Sequence, residues 1–258
     1  MSHENLSDLR AFATELAYLA GRVTLRYFQT DVGVELKEDH SPVTIADRSA
    51  ERVMRELIEQ TYPHHSILGE EEGETRPGAS FRWILDPIDG TKSFVAGVPM
   101  YTVLVGLERD GVPVVGAVAI PPSNELISAA TGQGCLWNGR RARASATREL
   151  SQAVISTTDV QHMYENNKGP AFDRLRNRAR MVRGWGDAYG HMLVATGRID
   201  VMLDALMSPW DCGALVPILQ ESGATITDWN GVTTIYGGNA VSTNGFLYEQ
   251  VMQTIRGE

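Results

Sequence analysis

Two carboxylates three residues apart, Asp86 and Asp89, stand in the stretch WILDPIDGTKSF at residues 83–94. Pro87 restricts Asp86 to an extended conformation, and a short turn at residues 87–88 is expected to return Asp89 to the same side of the chain. Two neighbouring buried carboxylates repel each other unless a proton or a cation lies between them. Mg²⁺ prefers oxygen ligands and shares them with phosphate and water, so this spacing indicates a hard divalent cation.

The residues after Asp89 are typical of an anion site. The run Asp89-Gly90-Thr91 is predicted to lead from a strand into a helix, with Asp89 near the cap and the amides of Gly90 and Thr91 unpaired. Unpaired amides at a helix start bind anions such as phosphate. A purely structural explanation stays open, in which Asp89 only caps the helix and Asp86 only forms a turn.

Three further acidic stretches each have an ordinary structural explanation as well. The glutamates at residues 70–72 end a short strand, and adjacent acids of this kind usually form a solvated loop. Asp211 opens a helix behind Trp210, where the helix dipole alone favours a carboxylate. Asp47 follows Thr44 by three residues, which is a capping arrangement.

Taken together, these stretches resemble the inositol monophosphatase superfamily of Mg²⁺-dependent, lithium-sensitive phosphatases. The matching stretches, in the family's order and spacing, are KEDHSPVTIAD at residues 37–47, GEE at 69–71, WILDPIDGTKSF at 83–94 and WDCGALVPILQESGATITDWNG at 210–231. The resemblance covers nearly the whole chain. An Asp-Pro-x-Asp-Gly-Thr core with a distant Trp-Asp pair is far more specific than a lone glycine-rich loop.

The resemblance implies two to three Mg²⁺ ions in one active site. Glu70, Asp86 and the carbonyl of Ile88 match the ligands of one ion, and Asp86, Asp89 and Asp211 match those of a second. A third, weaker site with water ligands is implied near Glu70. The bound metals would supply the positive charge that this acidic protein lacks for a phosphate substrate.

The resemblance also implies how phosphate and water are held for in-line attack by a metal-activated water. Gly90 and Thr91 match the positions whose amides hold the phosphate, and Thr91 and Asp47 match the pair that orients the attacking water. With Glu70 they form the predicted catalytic group. Lys92 is either a further phosphate contact or merely exposed.

The stretch RGWGDAYGHMLVATGRID at residues 183–200 bears on the substrate. Its Trp185, Asp187 and Tyr189 resemble the histidinol-phosphate phosphatases, whereas inositol phosphatases carry small, mostly uncharged residues here. A carboxylate at 187 would favour an ammonium group, and aromatic neighbours would face an imidazole or a cation. Arg183 is a further predicted substrate contact. Asp187 also has the alternative of being an ordinary helix cap.

These features predict a histidinol-phosphatase of histidine synthesis, which acts on a small phosphate monoester. The first alternative is an inositol-1-phosphate or broad sugar monophosphatase, which shares every metal ligand. A more distant alternative is a non-catalytic phosphate-sensing protein of the same fold, which is disfavoured because each metal-ligand position is filled by a suitable residue.

Composition restricts partners and location. The formal charge of −9 argues against nucleic-acid binding, which usually needs a basic stripe. Apolar runs fall short of the ~18 residues of a membrane span, and the N-terminus lacks the apolar block of a signal peptide. Two cysteines are too few for a disulfide framework, which predicts a reducing, cytoplasmic setting.

The resemblance implies a homodimer. The six histidines form no ligand set, and His64 and His65 are predicted to lie in a surface turn.

The elements that must position these residues alternate along the chain. Residues 1–144 are predicted to form an α+β domain with the metal and phosphate motifs, and residues 145–258 an α/β domain that contributes Asp211 and the specificity residues. The resemblance implies a layered αβαβα fold. Predicted helices cover residues 6–28, 170–178, 188–196 and 212–222, and a further helix is predicted to start at Thr44. Predicted strands cover residues 66–69, 81–86, 124–139, 153–158, 179–183, 199–203 and 224–228. A hairpin is predicted at residues 101–122, with its turn at residues 110–111.

Overall fold

The structure is a computed structural model that describes residues 5–37 and 41–258. Residues 1–4 of the N-terminal segment and residues 38–40 of the KEDHSPVTIAD motif lie outside the described residues. The helices of the described ranges are α1 Leu6–Thr24, α2 Ile45–Thr61, α3 Thr91–Val95, α4 Val160–Glu165, α5 Gly169–Arg178, α6 Asp187–Ala195, α7 Pro209–Gly213, α8 Leu215–Glu221 and α9 Tyr248–Arg256.

The strands of the described ranges form a large sheet, a small sheet and one short pair. They are β1 Val34–Leu36, β2 Pro42–Thr44, β3 Ser66–Gly69, β4 Gly73–Thr75, β5 Phe81–Asp89, β6 Thr102–Arg109, β7 Val112–Ile120, β8 Glu125–Ala130, β9 Gly134–Trp137, β10 Arg140–Arg141, β11 Val154–Thr157, β12 Met181–Arg183, β13 Val201–Asp204, β14 Thr225–Thr227 and β15 Ala240–Thr243. The large sheet has the order β10-β9-β8-β7-β6-β5-β3-β4, the small sheet has the order β12-β11-β13-β15-β14, and β1 pairs with β2.

Alternation along the strands places helices on both faces of each sheet. On β5, Trp83 and Leu85 pack against α1 and α2, whereas Ile84 packs on the opposite face, as the period of two requires. On β13, Met202 faces the same central core as Ile84, and Leu203 faces α5 and α9. Helices α6 and α8 fill the space between the sheets, so the layered αβαβα fold is confirmed.

The central core joins the two predicted halves of the chain. Strands of the large sheet lie between residues 66 and 141, and those of the small sheet between residues 154 and 243. Gly106 and Gly116 of the large sheet allow the backbone before α8 to approach closely, since a Cβ on Gly116 would lie 2.1 Å from the Ala214 carbonyl oxygen. The division between residues 144 and 145 stays a prediction.

Two predicted helices differ from the structure. The helix predicted for residues 6–28 ends at Thr24, because the chain then continues in tight turns with hydrogen bonds from Arg26 N to Val23 O and from Tyr27 N to Thr24 O. The helix predicted for residues 212–222 is two helices, α7 and α8. Pro217 lacks the N–H that would bond to the carbonyl of Gly213, so one continuous helix is disfavoured at this point.

Other corrections concern short elements and one histidine. Helices α4 and α9 and strand β15 were not predicted, and β13 runs antiparallel to β15, so the small sheet is mixed.

The turn at residues 64–65 is present and His64 is exposed, but the surface position predicted for His65 is wrong. The His65 ring is buried, stacks on Tyr62 and Phe81, and accepts a hydrogen bond from Trp83 Nε1 at 3.0 Å. Within the described ranges, no helix combines the length and apolar character needed to cross a bilayer.

Candidate active site

Three carboxylates meet where β5 ends beside α7. One oxygen from each of Asp86, Asp89 and Asp211 lies within 4.8 Å of the others. Asp211 occupies the third position of α7, where its Oδ2 accepts a hydrogen bond from Ser208 N at 2.7 Å in a capping box. The predicted convergence of these acids is confirmed, although the helix starts at Pro209, two residues before Asp211.

A bulge in β5 puts Asp86 and Asp89 on one side. Residues an odd number apart on a regular strand point to opposite faces. Here Asp86 pairs with Leu104 and Asp89 with Thr102, so three residue steps along β5 match two along β6. The extra residue in β5 turns the Asp89 side chain to the same face as that of Asp86. The Ile88 amide donates to Asp86 Oδ1 at 3.1 Å. Strand β5 itself continues through residues 87–88, where the sequence predicted a turn.

Burial and mutual repulsion favour the protonated forms of these acids in the protein alone. Burial, followed by repulsion from Glu70, Asp89 and Asp211, raises the pKa of Asp86 well above its usual value. Burial is also the first cause for Asp211, whose pKa rises to about 7 despite the Ser208 amide. Buried oxygen ligands that repel each other in this way fit a divalent cation, which would remove the repulsion.

Asp89 keeps one oxygen for the cluster because the other is already used. Its Oδ2 accepts hydrogen bonds from Thr102 Oγ1 at 3.0 Å and from Ala188 N, the second residue of α6, at 2.7 Å. Burial, followed by repulsion from Asp187 and Asp211, raises the pKa of Asp89 well above its usual value. Asp89 thus links the acidic cluster to the start of α6.

Glu70 lies beside Asp86 and is held by two other groups. Its carboxyl group is within hydrogen-bonding contact of Asp86, and Lys37 Nζ lies 2.7 Å from Glu70 Oε1 and 2.6 Å from Glu71 Oε1. Lys37 was quoted only as part of a motif and received no role from the sequence. Burial is the main cause that raises the pKa of Glu70, and the lysine opposes this rise.

A fully buried glutamate of α2 holds the backbone of this acidic loop. Glu51 Oε2 accepts from Glu71 N at 2.8 Å, and Glu51 Oε1 accepts from Glu72 N at 3.0 Å and Arg55 Nε at 2.8 Å. A Cβ on Gly69 would lie 2.2 Å from Glu51 Oε1, so only glycine fits beside this carboxylate. The loop that carries Glu70 is therefore fixed by packing and charge rather than solvated.

The predicted phosphate loop, Gly90 and Thr91, begins α3, and Asp89 lies near the cap as predicted. The N-cap of α3 is Gly90, in the left-handed region with φ of 83°, and Asp89 precedes it. A residue with a Cβ is strained at this backbone conformation. Thr91 Oγ1 donates to the Ile88 carbonyl at 2.9 Å. Lys92 is exposed and also lines the cleft described below, and its contact with phosphate stays a prediction.

Asp47 forms the predicted cap and still has an unused oxygen. Its Oδ2 accepts from Thr44 N at 2.8 Å and from Thr44 Oγ1 at 2.7 Å, which completes a capping box at the start of α2. Its Oδ1 is buried and has no hydrogen-bond partner among the described residues. Burial raises the pKa of Asp47. No hydrogen bond joins Asp47 to Thr91 in the described ranges, so their pairing stays a prediction.

A cleft of about 300 Å³ adjoins α3, and a smaller cavity that shares its far wall reaches Asp89 and Asp211 of the acidic cluster. The far wall carries Thr158, Asp159, His162 and Leu206, and the smaller cavity adds Asp204. Sequence reasoning missed these residues. Asp204 ends β13 as Asp89 ends β5, and Asp159 follows β11 by two residues, and this signal could have identified them.

Asp187 lies between Gly90 of the predicted phosphate loop and Thr158 of the far wall. Its amide donates to Thr158 Oγ1 at 2.6 Å, and it has φ of 56°, in the left-handed region. Its carboxylate accepts no hydrogen bond from the described residues, so it is not used as a helix cap. Burial, followed by repulsion from Asp204, raises the pKa of Asp187 to about 7, although Lys92 opposes this shift.

The other three predicted substrate residues lie away from the cleft lining. Trp185 and Tyr189 are partly buried and pack against the central core. Arg183 is exposed, and its Nη1 donates to the Val182 carbonyl at 2.8 Å. None of the three lines either cavity beside the acidic cluster. Their contact with substrate stays a prediction.

Comparison with known proteins finds both histidinol-phosphatases and inositol monophosphatases among the proteins similar in sequence to this chain. The model of the inositol monophosphatase family matches residues 5–257. The chain is 42% identical over 245 residues to the histidinol-phosphatase of Chlorobaculum parvum, with 94% of this chain and 95% of that protein covered. It is 36% identical over 260 residues to the inositol-1-monophosphatase of Rhizobium meliloti, with 97% of each covered. A solved structure of an inositol monophosphatase from Zymomonas mobilis has a TM-score of 0.87 and 30% identity, with 98% of this chain and 100% of that chain covered.

Proposed function

Because this chain belongs to the inositol monophosphatase family of phosphatases, we propose that it is a Mg²⁺-dependent phosphomonoesterase that hydrolyses L-histidinol phosphate to L-histidinol and phosphate. The observation that carries the substrate assignment is the carboxylate of Asp187. It is half-buried at the cleft and lies next to Gly90, and the described residues give it no hydrogen bond. A carboxylate in this position suits a substrate with an ammonium group close to its phosphate.

The charge of the far wall supports a cationic leaving group. Asp159 and Asp204 both raise the pKa of Asp187 by repulsion, so three carboxylates act on one region of the cleft. An uncharged polyol gains little from this negative potential, whereas an ammonium group gains attraction from each carboxylate. The likeness to the Chlorobaculum parvum histidinol-phosphatase supports the same substrate.

The acidic cluster provides the ligands for divalent cations. Glu70, Asp86 and the Ile88 carbonyl would hold one ion, and Asp86, Asp89 and Asp211 a second, with a weaker site near Glu70. Bound cations of this kind lower the pKa of water and neutralise charge on phosphate and on the leaving oxygen.

The chain's own groups hold the substrate and the water. The amides of Gly90 and Thr91 would bind the phosphate oxygens at the start of α3. Asp47 Oδ1 is a buried acceptor without a partner in the described ranges, which suits the role of taking a hydrogen from water. Thr91 and Glu70 would complete the catalytic group. Arg183, Trp185 and Tyr189 remain proposed substrate contacts that need a movement toward the cleft.

A second candidate is an inositol-1-phosphate or broad sugar phosphatase. The likeness to the Rhizobium meliloti inositol-1-monophosphatase favours it, and it uses the same metal ligands. The homodimer, the cytoplasmic location and sensitivity to lithium stay predictions under both candidates.

Phosphate release from a panel of esters distinguishes the two candidates. We expect the kcat/KM for L-histidinol phosphate to exceed that for inositol 1-phosphate, fructose 1-phosphate and adenosine 5′-phosphate at the same Mg²⁺ concentration. Comparable values for inositol and histidinol phosphates would support the broad monophosphatase instead. The absence of Mg²⁺-dependent release from any ester would support a phosphate-sensing protein.

A further inference from the structure

We propose that His191 is a positioning residue that fixes Asp204 with one carboxylate oxygen turned to the smaller cavity beside Asp187, and so tunes recognition of a cationic leaving group. This inference rests on the proposed function. His191 lies in α6, and its side-chain hydrogen bonds among the described residues go to Asp204 and Ser242, so its link to the site runs through Asp204.

The geometry joins three side chains from three elements. His191 Nε2 lies 3.0 Å from Asp204 Oδ2 at the end of β13, and His191 Nδ1 lies 2.7 Å from Ser242 Oγ in β15. The His191 ring is completely buried. A carboxylate only accepts hydrogen bonds, so Nε2 donates to Asp204 and the serine hydroxyl occupies the other ring nitrogen.

The surroundings of His191 show that this polar group is not there for packing alone. The other buried residues of α6 are alanines, Gly190, Met192, Leu193 and Val194. A buried polar group among such neighbours is costly unless its nitrogens are paired. Both are paired here, and the pairing orients a residue that lines the smaller cavity beside the cleft.

Asp204 is held from its backbone side as well. Trp229 Nε1 donates to the Asp204 carbonyl at 2.9 Å, which fixes the main chain at the end of β13. His191 then fixes the Asp204 side chain through Oδ2. The other oxygen, Oδ1, accepts no hydrogen bond from the described residues and is available to a ligand in the smaller cavity. Repulsion from Asp204 contributes to the raised pKa of both Asp187 and Asp211, so its charge acts on the substrate side and on the metal side.

The test compares two substitutions of His191 in the Mg²⁺-loaded enzyme. In His191→Met a flexible apolar side chain fills the space without a donor for Asp204. In His191→Gln the amide reaches about as far as Nε2 and keeps a donor. We expect His191→Met to raise the KM for L-histidinol phosphate about tenfold, with kcat changed less than about twofold, which is the effect of one lost hydrogen bond on substrate binding. We expect His191→Gln to restore the KM to within about threefold of the wild-type value.

Inositol 1-phosphate serves as the amine-free substrate, and its KM is expected to change much less than that of histidinol phosphate in His191→Met. A matched control is His65→Met, which replaces the other described buried histidine in the core between α2 and the large sheet. It is expected to lower the unfolding temperature without changing the ratio of the two kcat/KM values.

The proposal is overturned if His191→Met lowers kcat/KM for both esters equally, if it changes neither, or if His191→Gln behaves like His191→Met. If His191→Met does not fold, Ser242→Ala decides, because it releases Nδ1 alone. A shift in the substrate ratio in Ser242→Ala supports the proposal, and an unchanged ratio overturns it. A wild-type enzyme with no preference for L-histidinol phosphate contradicts the proposed function itself. A preference that is not reduced in His191→Met contradicts only the positioning role.

Discussion

Gly90 and Asp187 are in contact across the two halves of the sequence, and a Cβ on Gly90 would lie 2.9 Å from Asp187 Oδ2. Gly90 begins the helix predicted to bind phosphate, and Asp187 begins α6. The contact places a carboxylate directly beside the proposed phosphate site. Substrate selectivity and phosphate binding are therefore expected to depend on how the two sheets pack together.

Asp89→Asn should abolish turnover without unfolding the protein. The asparagine oxygen can still accept from Thr102 Oγ1 and Ala188 N, so the link to α6 persists, while one charge is lost from the cluster. Phosphate release at saturating Mg²⁺ and thermal unfolding measure the two effects separately. Near-normal activity in Asp89→Asn would remove this residue from the metal site.

Substitutions of Asp47 and Thr91 should not act independently. Asp47→Asn and Thr91→Ala should each lower kcat by about 10²-fold or more, the usual range for loss of a general base. If the two groups hold one water, the double variant should lose little beyond the larger single effect. Asp47→Asn keeps an oxygen for Thr44, so the start of α2 should remain intact. Multiplying losses in the double variant would contradict the pairing.

Glu51→Gln should weaken Mg²⁺ activation more than it lowers the maximal rate. The neutral side chain keeps the shape of Glu51 but weakens its hold on Arg55 and on the amides of residues 71 and 72. Glu70 should then be less well positioned. The expected result is a higher Mg²⁺ concentration for half-maximal activity with kcat nearly unchanged. Arg76→Gln, which removes an exposed ion pair with Glu59, serves as a control that should not alter Mg²⁺ activation.

Stability of the protein without metal should fall as the pH rises through about 4 to about 7. Asp187 and Asp211 have a pKa of about 7 in the folded chain, raised from 3.8 by burial. The folded state thus binds more protons than the unfolded chain in this window, and these protons are lost on the alkaline side. Mg²⁺ should replace the proton at Asp211 and reduce the fall.

Urea unfolding at about pH 5 and about pH 7.5, with EDTA or with Mg²⁺, measures this linkage. The midpoint with EDTA should be lower at the higher pH, and the gain from Mg²⁺ should be larger there. A midpoint that rises with pH in EDTA would contradict the raised pKa values.

Local features were predictable from the sequence because they depend on neighbouring residues. The hairpin at Asp110 and Gly111 was identified from its turn residues, and both have positive φ, of 51° and 79°. The closeness of Asp86 and Asp89 was predicted too, although a bulge rather than a turn produces it.

Features that depend on packing between distant elements were not predictable. The contact of Asp187 with Gly90 requires both sheets to be in place, and the pairing of His191 with Asp204 and Ser242 requires α6 to pack on the small sheet. Helix α4 is too short for its apolar period to be clear. The buried position of His65 follows from aromatic rings that converge from α2's end and β5.

The proposed recognition of an ammonium group through Asp187 can be measured with Asp187→Asn assayed on two substrates. Asparagine tolerates the left-handed backbone at this position, so the fold should be kept. The kcat/KM for L-histidinol phosphate should fall roughly ten- to a hundredfold, the worth of one charge-assisted hydrogen bond, while that for inositol 1-phosphate should stay the same or rise slightly. An equal fall for both esters, or no fall for L-histidinol phosphate, would contradict the account.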